Sequence, residues 1–214
     1  RRMAFSIRTT LLLALPCAVG LAALAEPILL LLFPNAVAKE APMLLAISAF
    51  TIIFTLVNQT LSGALQGLGR VMIPAISLAC GAVVKVIVNL ILIPVIGVNG
   101  AAIGSIFCGI TALIINLYFL HKNIKLELNY NQAIIKPVAI SAAMGSSAYL
   151  TRKYVRILLG RASIATSVAI IDAVIVYFGG IILFKVFDRD DYHMLPYGDK
   201  IYNFLHKNKK ETNK

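Results

Sequence analysis

The residues whose types and spacing best suit chemistry are polar side chains that interrupt long apolar stretches. Steps of four residues, which keep to one face of a helix, connect Ser77, Gly81, Lys85 and Asn89. A lysine in the middle of a hydrocarbon layer costs about 2.5–3.5 kcal/mol on insertion scales, so it usually faces a wet cavity or an anionic partner. The stripe predicts a site for an anionic substrate or a coupled ion. A lysine that extends to the membrane surface, or that forms a structural pair, is the alternative.

A second polar stripe lies earlier in the chain and includes two glutamines. One predicted helix face carries Thr55, Gln59, Ser62 and Gln66, with Asn58 beside it. Across a cavity from Lys85, these side chains would offer neutral donors and acceptors to hydroxyl or phosphate groups. Hydrogen bonds between helices, typically about 0.6 kcal/mol each in a membrane, explain the same stripe equally well. The two stripes together predict a substrate-binding cavity lined by Lys85, Asn89, Ser77, Gln59, Gln66 and Ser62.

Two carboxylates inside apolar stretches are candidates for coupling to an ion or a proton. Glu26 precedes Pro27 about two turns from the end of its stretch, so it could pair with Lys85 or take up an ion or proton. Its shallower position argues against direct contact with Lys85, and a water-exposed carboxylate at the rim is the alternative. Asp172 lies in the segment AIIDA and suits either a proton relay or a contact with a neighbouring helix. Asn116 is interpreted as a packing residue.

The sequence shows no constellation of residues that would support enzyme chemistry. His121, His193 and His206 lie outside the apolar stretches, without an acidic partner at a recognisable spacing. The chain has no phosphate loop of the GxxxxGK[ST] type, so nucleotide hydrolysis is not expected. We therefore predict a protein that is not an enzyme, with no metal site and no cofactor. Energy for work across a membrane would come from an ion gradient or from a partner.

The elements that position these residues are predicted to be membrane-spanning helices. Apolar residues make up 59% of the 214 residues and charged residues only 14%, and the mean hydropathy is +0.86. A bilayer core of about 30 Å needs roughly 20 helical residues, and several stretches reach that length. The sequence predicts an all-α polytopic bundle of about six spans, at 10–33, 43–66, 71–96, 100–120, 134–150 and 164–187, followed by a basic tail at 188–214.

The net charge of +11 is interpreted as a signal of membrane orientation. Lysines and arginines flank the apolar stretches and crowd the tail, and they are not interleaved with aromatic residues, so nucleic acid is not an expected partner. The positive-inside rule places both termini in the cytoplasm, although the basic segment 152–161 argues for the opposite orientation. Membrane lipids are the expected partners of the tail.

Three neighbouring motifs carry a family resemblance. They are LQGLGR followed by IP at 65–74, the pattern G..VK…N..LIP from Gly81 to Pro94, and GVNGAAIG from Gly97 to Gly104. Over about residues 40–120, the chain resembles the polysaccharide-exporter and stage V sporulation protein B branch of the multidrug/oligosaccharidyl-lipid/polysaccharide flippase superfamily.

The resemblance implies a bacterial cell-membrane transporter. Such proteins have twelve to fourteen helices in two pseudo-symmetric lobes, and relatives flip undecaprenyl-linked sugars, including peptidoglycan precursors, between the leaflets. This chain would then be the last six helices, with the preceding helices of a parent chain as its partner, and Lys85 and Gln66 would lie on the cavity face. We expect a flippase for a lipid-linked anionic glycan used in cell-wall or spore-cortex synthesis. A drug/ion antiporter of the same superfamily and a non-transporting membrane scaffold are the alternatives.

Overall fold

The structure, a computed structural model, describes residues 2–33, 40–123, 135–159 and 162–183. Within these ranges the chain is helical and has no strand, which confirms the predicted all-α polytopic bundle. The helices are α1 (Arg2–Ala23), α2 (Ala25–Leu32), α3 (Ala41–Gly67), α4 (Met72–Ile96), α5 (Asn99–Asn123), α6 (Lys136–Leu159) and α7 (Ala162–Leu183). The predicted tail at 188–214 lies outside the described residues.

Within the described residues, five segments are long and apolar enough to cross a membrane: Phe5–Ala23, Ala41–Gly67, Met72–Ile96, Asn99–Lys122 and Ile164–Ile181. Helix α6 is not among them, because its second half carries several charged residues. It also continues through 151–159, past the predicted end of the fifth span at 150 and into the basic segment 152–161. No glycine or proline occurs between Ser146 and Leu159, so nothing in the backbone ends the helix there. That α6 crosses the membrane stays a prediction.

Prolines shape the first predicted span, which is divided into α1 and α2 at Leu24. Pro27 has no N–H to give to the carbonyl four residues earlier, and the first turn of a helix is where this loss is best tolerated. Pro16 lies inside α1 and leaves the carbonyl of Leu12 without its helical donor. The hydroxyl of Tyr177 in α7 donates a hydrogen bond to that carbonyl. The hydrogen bond that Pro16 removes from the α1 backbone is therefore replaced by one from α7.

Across the described helices, two clusters of buried apolar side chains hold the bundle together. One lies between α1, α6 and α7 and includes Leu12, Leu24, Ile140, Met144, Ala148, Ala169, Ala173 and Tyr177. The other lies between α1, α3 and α5 and includes Ile7, Val57, Leu61, Leu65 and Leu120. Large apolar side chains cover the outside as well, with Val95 of α4 79% exposed, for example. Lipid is the environment that such a surface suits, because hydrocarbon solvates it where water does not.

Helices α4 and α5 form a closely packed antiparallel hairpin. A Cβ atom built on Gly81 would lie 2.7 Å from the carbonyl oxygen of Cys108, and one on Gly100 would lie 2.8 Å from the carbonyl carbon of Leu92. The turn between the helices passes through Gly97, whose φ of 64° favours glycine. In contrast, α4 touches α3 only sparsely, while α3 packs along α1 and α5. A cavity is left between α3 and the α4–α5 hairpin.

Candidate functional site

The cavity between α3, α4 and α5, here called the polar cavity, has a volume of about 800 Å³. Polar and small side chains from all three helices line it. From α3 and α4 these include Thr51, Thr55, Asn58, Gln59, Ser62, Gln66, Ser77 and Lys85, and from α5 Ser105, Cys108, Gly109, Ala112 and Asn116. The structure therefore brings together five of the six residues predicted from the two stripes: Lys85, Ser77, Gln59, Gln66 and Ser62.

Asn89 is the predicted cavity residue that does not line the cavity. Its side chain packs against α5, where its Oδ1 occupies the space that a Cβ on Gly104 would need. A step of four residues turns a helix by about 40° more than one full revolution. Over three such steps from Ser77, the face drifts by about 120°, which carries Asn89 out of the cavity wall. The four-residue pattern identified the right helix but extended the face one step too far.

Lys85 is half-buried in the cavity wall on α4. Within the part of the chain that the structure describes, its ammonium group has neither an ion pair nor a hydrogen bond. A cation in low-dielectric surroundings is stabilised by an opposite charge within a few ångström. The polar cavity thus presents a positive charge whose counter-ion is not supplied by the described residues.

The other predicted cavity residues differ in whether their polar groups are already hydrogen-bonded. The hydroxyl of Ser77 donates to the carbonyl oxygen of Pro74 at 2.8 Å, so it has a partner within its own helix. The side chains of Gln59, Ser62 and Gln66 form no hydrogen bond with the described residues. The α3 wall therefore offers two free amides and a hydroxyl, and the α4 wall offers the ammonium group of Lys85.

The wall formed by α5 is not predicted by the two polar stripes. Asn116, for which the sequence predicted a packing role, borders the cavity, and its Nδ2 donates a hydrogen bond to Oδ1 of Asn58 in α3 at 3.1 Å. A signal was present, because Ser105, Gly109, Ala112 and Asn116 recur at helical spacing and are all small or polar. Small residues on a membrane helix also allow close packing, and one of them, Gly109, does pack against Phe54.

The two carboxylates proposed for coupling lie away from the polar cavity. Glu26 Oε2 is 3.9 Å from Nη1 of Arg152, so its partner is an arginine of α6, and the pairing with Lys85 considered above does not occur. The side chain of Glu26 is 60% exposed, as the rim interpretation expects. Asp172 of α7 accepts hydrogen bonds from Ser147 at 2.6 Å and Thr151 at 3.1 Å, both in α6. The described contacts of Asp172 are therefore those of a residue that joins neighbouring helices.

Comparison with known proteins agrees with this architecture. Residues 1–177 match the sequence model of a family described as lipid II flippase MurJ. The chain belongs to that family. Membership confirms the resemblance to the flippase superfamily and makes the chain part of a multi-pass membrane protein.

A curated relative extends the match along most of the chain. It is an uncharacterized membrane protein of Bacillus subtilis, YabM, which is 27% identical over 208 residues. The match covers 94% of this chain but only 38% of the length of YabM. The chain thus spans well under half of that relative. No solved structure matches the chain significantly.

Proposed function

We propose that the protein of which this chain is a part moves a lipid-linked anionic glycan, such as a peptidoglycan precursor, across the bacterial cell membrane. The observation that carries the proposal is the ammonium group of Lys85, which faces the polar cavity without a counter-ion among the described residues. Membership in the lipid II flippase family supports transport of a lipid-linked precursor. An oligosaccharide or polysaccharide precursor for the cell wall or the spore cortex has the same chemistry.

A polyprenyl diphosphate suits this cavity electrostatically. Its phosphate oxygens are acceptors that can approach Lys85, and each oxygen can also accept a hydrogen bond from Gln59 or Gln66. Such charge-assisted bonds strengthen where water is excluded. A cationic drug would instead be repelled by Lys85, which weakens the case for a drug/ion antiporter. A scaffold without transport activity gives no reason for an unpaired cation in the cavity.

The complete transporter needs further helices and an energy source. The preceding helices of the parent chain form the opposite wall, and membrane lipids surround the bundle. The protein acts as a transporter without enzyme activity or a cofactor, and an ion gradient is its energy source. Glu26 and Asp172 stay candidates for ion or proton coupling, acting from α2 and α7 rather than from the cavity. Both termini of this segment lie in the cytoplasm.

The first test is complementation by the full-length parent carrying Lys85→Gln, in cells that lack their own lipid-linked precursor flippases. Loss of the cavity charge should abolish growth and leave precursor on the inner leaflet, while protein levels in the membrane stay normal. Lys85→Arg keeps the charge and should restore part of the activity. Lys153→Gln, which removes an exposed lysine of α6, is the matched control and should grow normally.

Two outcomes would contradict the proposal. Full growth with Lys85→Gln would remove the lysine from the mechanism. Failure of the unmutated parent to restore growth would point to another substrate or to the scaffold alternative.

A further inference from the structure

The α3–α5 wall of the polar cavity contains two asparagine amides linked in series. Asn116 Nδ2 donates to Asn58 Oδ1 at 3.1 Å, and Asn58 Nδ2 donates to the carbonyl oxygen of Gly109 at 2.9 Å. The opposite orientation of the Asn116 amide would place two acceptor oxygens against each other, so the bonds fix how it points. Asn116 Oδ1 is left without a hydrogen-bond partner among the described residues, although the residue is only 1% exposed.

A buried acceptor without a donor is costly, because its hydrogen bonds to water are lost on burial and not replaced. Packing alone does not account for an asparagine here, because leucine has a similar size and carries no polar atom. The open space that Asn116 borders is the polar cavity. A group that enters the cavity and offers an O–H or N–H would remove the cost.

The amide pair and Lys85 lie toward opposite ends of the polar cavity. The carbonyl oxygen of Lys85 is 3.4 Å from the Cβ position of Gly104, so Lys85 is level with the start of the α5 wall at Ser105. Asn116 lies about 16 Å further along α5, at about 1.5 Å per residue. The cavity therefore has a cationic end and a neutral, hydrogen-bond-accepting end.

We propose that Asn116, held in place by Asn58, binds the sugar of a glycan-bearing polyprenyl diphosphate by accepting a hydrogen bond from a hydroxyl or acetamido N–H group. A diphosphate has acceptors but no donors when ionised, so it cannot supply this bond. The inference rests on the proposed function, because it assigns the sugar of the same substrate to the end of the cavity away from Lys85. It makes Asn116 a residue that distinguishes a glycosylated lipid from a bare one.

The test measures the affinity of the purified full-length parent in nanodiscs for two lipids. One is undecaprenyl diphosphate, and the other is undecaprenyl diphosphate linked to N-acetylmuramoyl sugar. Asn116→Leu should weaken binding of the sugar-bearing lipid about 5- to 30-fold, the loss of one buried hydrogen bond, and leave the bare lipid unaffected. Lys85→Gln should weaken binding of both lipids. Unchanged affinity for the bare lipid also shows that the variant is folded.

Three results would overturn the inference. If Asn116→Leu weakened the binding of both lipids equally, the role of the residue would be structural. If the variant bound both lipids as tightly as the unmutated protein does, water would be the donor to the Asn116 oxygen. In either case the proposed function would stand. Failure of the unmutated protein to bind either lipid would remove the proposed function together with the inference. If Asn116→Leu does not fold, Asn116→Ala serves in its place, because truncation beside an existing cavity creates no new enclosed void.

Discussion

At the residue scale, Pro16 and Tyr177 form a pair that is not apparent from their positions in the sequence. Pro16 deprives the Leu12 carbonyl of its helical donor, and the Tyr177 hydroxyl supplies another. An unpaired carbonyl is expensive in hydrocarbon, since no water is present to bond it. The tyrosine thus bonds α7 to α1 at the carbonyl that lacks its helical hydrogen bond.

We predict that Tyr177→Phe lowers the stability of the full-length parent by about 1 kcal/mol, because the Leu12 carbonyl loses its donor. Thermal unfolding in detergent would measure the change. Pro16→Ala supplies a backbone N–H to the same carbonyl, so Tyr177→Phe should cost much less in that background. Equal losses in both backgrounds would show that the hydroxyl acts independently of the proline.

Lys85 and Asn116 illustrate two kinds of residue-scale signal. A charge inside an apolar stretch stands out in any sequence, so Lys85 could be identified at once. An asparagine near the end of a span is ambiguous, since most such residues bond a neighbouring helix. Asn116 does bond one, and what distinguishes it is an oxygen beside a cavity that has no hydrogen-bond partner among the described residues.

At the element scale, the α4–α5 hairpin depends on residues that have no side chain to separate the helices. Gly81 is buried against Cys108, whereas Gly63 of α3 faces the polar cavity, and no described residue outside its own helix segment comes within 4 Å of its Cβ position. The two glycines therefore look alike in the sequence but occupy different environments.

We predict that Gly81→Ala destabilises the hairpin by about 1–3 kcal/mol, because a Cβ 2.7 Å from the backbone oxygen of Cys108 forces the helices apart. Gly63→Ala is the matched control. It meets no atom and gains helix propensity, so its melting temperature should equal or exceed that of the unmutated protein. Similar melting temperatures for the two variants would mean that the hairpin adapts to the extra atom.

At the scale of the whole molecule, the chain presents an apolar outer surface and a polar interior wall. Exposed apolar residues cover the outside of α4, whereas the cavity between α3 and the α4–α5 hairpin collects the polar groups. The match to 38% of YabM fits a lobe whose cavity is completed by further helices. Alternating access of two lobes around such a site is the transport cycle that the proposed function implies.

The native cysteines offer a test of whether the polar cavity contains water. Cys108 lines the cavity, while Cys80 is exposed on α4 outside the cavity lining. In full-length parents that keep one of these cysteines and no other, a charged thiol reagent should modify Cys108 much faster, because a thiolate forms only where water reaches it. Equal inertness of both residues would indicate a dry cavity, and preferential reaction of Cys80 would contradict the assignment of its face to lipid.

The sequence by itself determined the class of the protein and the approximate positions of its long apolar helices, and it singled out Lys85 as a candidate. Long apolar runs predict membrane helices, because in hydrocarbon every backbone N–H and C=O group needs a hydrogen bond within the protein. The regular geometry of the α-helix also placed Gln59, Ser62 and Gln66 on one face. These features depend on residues that are close together along the chain, so local sequence patterns were sufficient to predict them.

The tertiary structure alone decided which helix faces meet. It removed Asn89 from the cavity, paired Glu26 with Arg152, and brought Asn58 and Asn116 together across α3 and α5. Each outcome depends on how one helix is rotated and shifted against another. That rotation is set by close packing at a few small residues, which the pattern of polar and apolar residues along one helix does not contain.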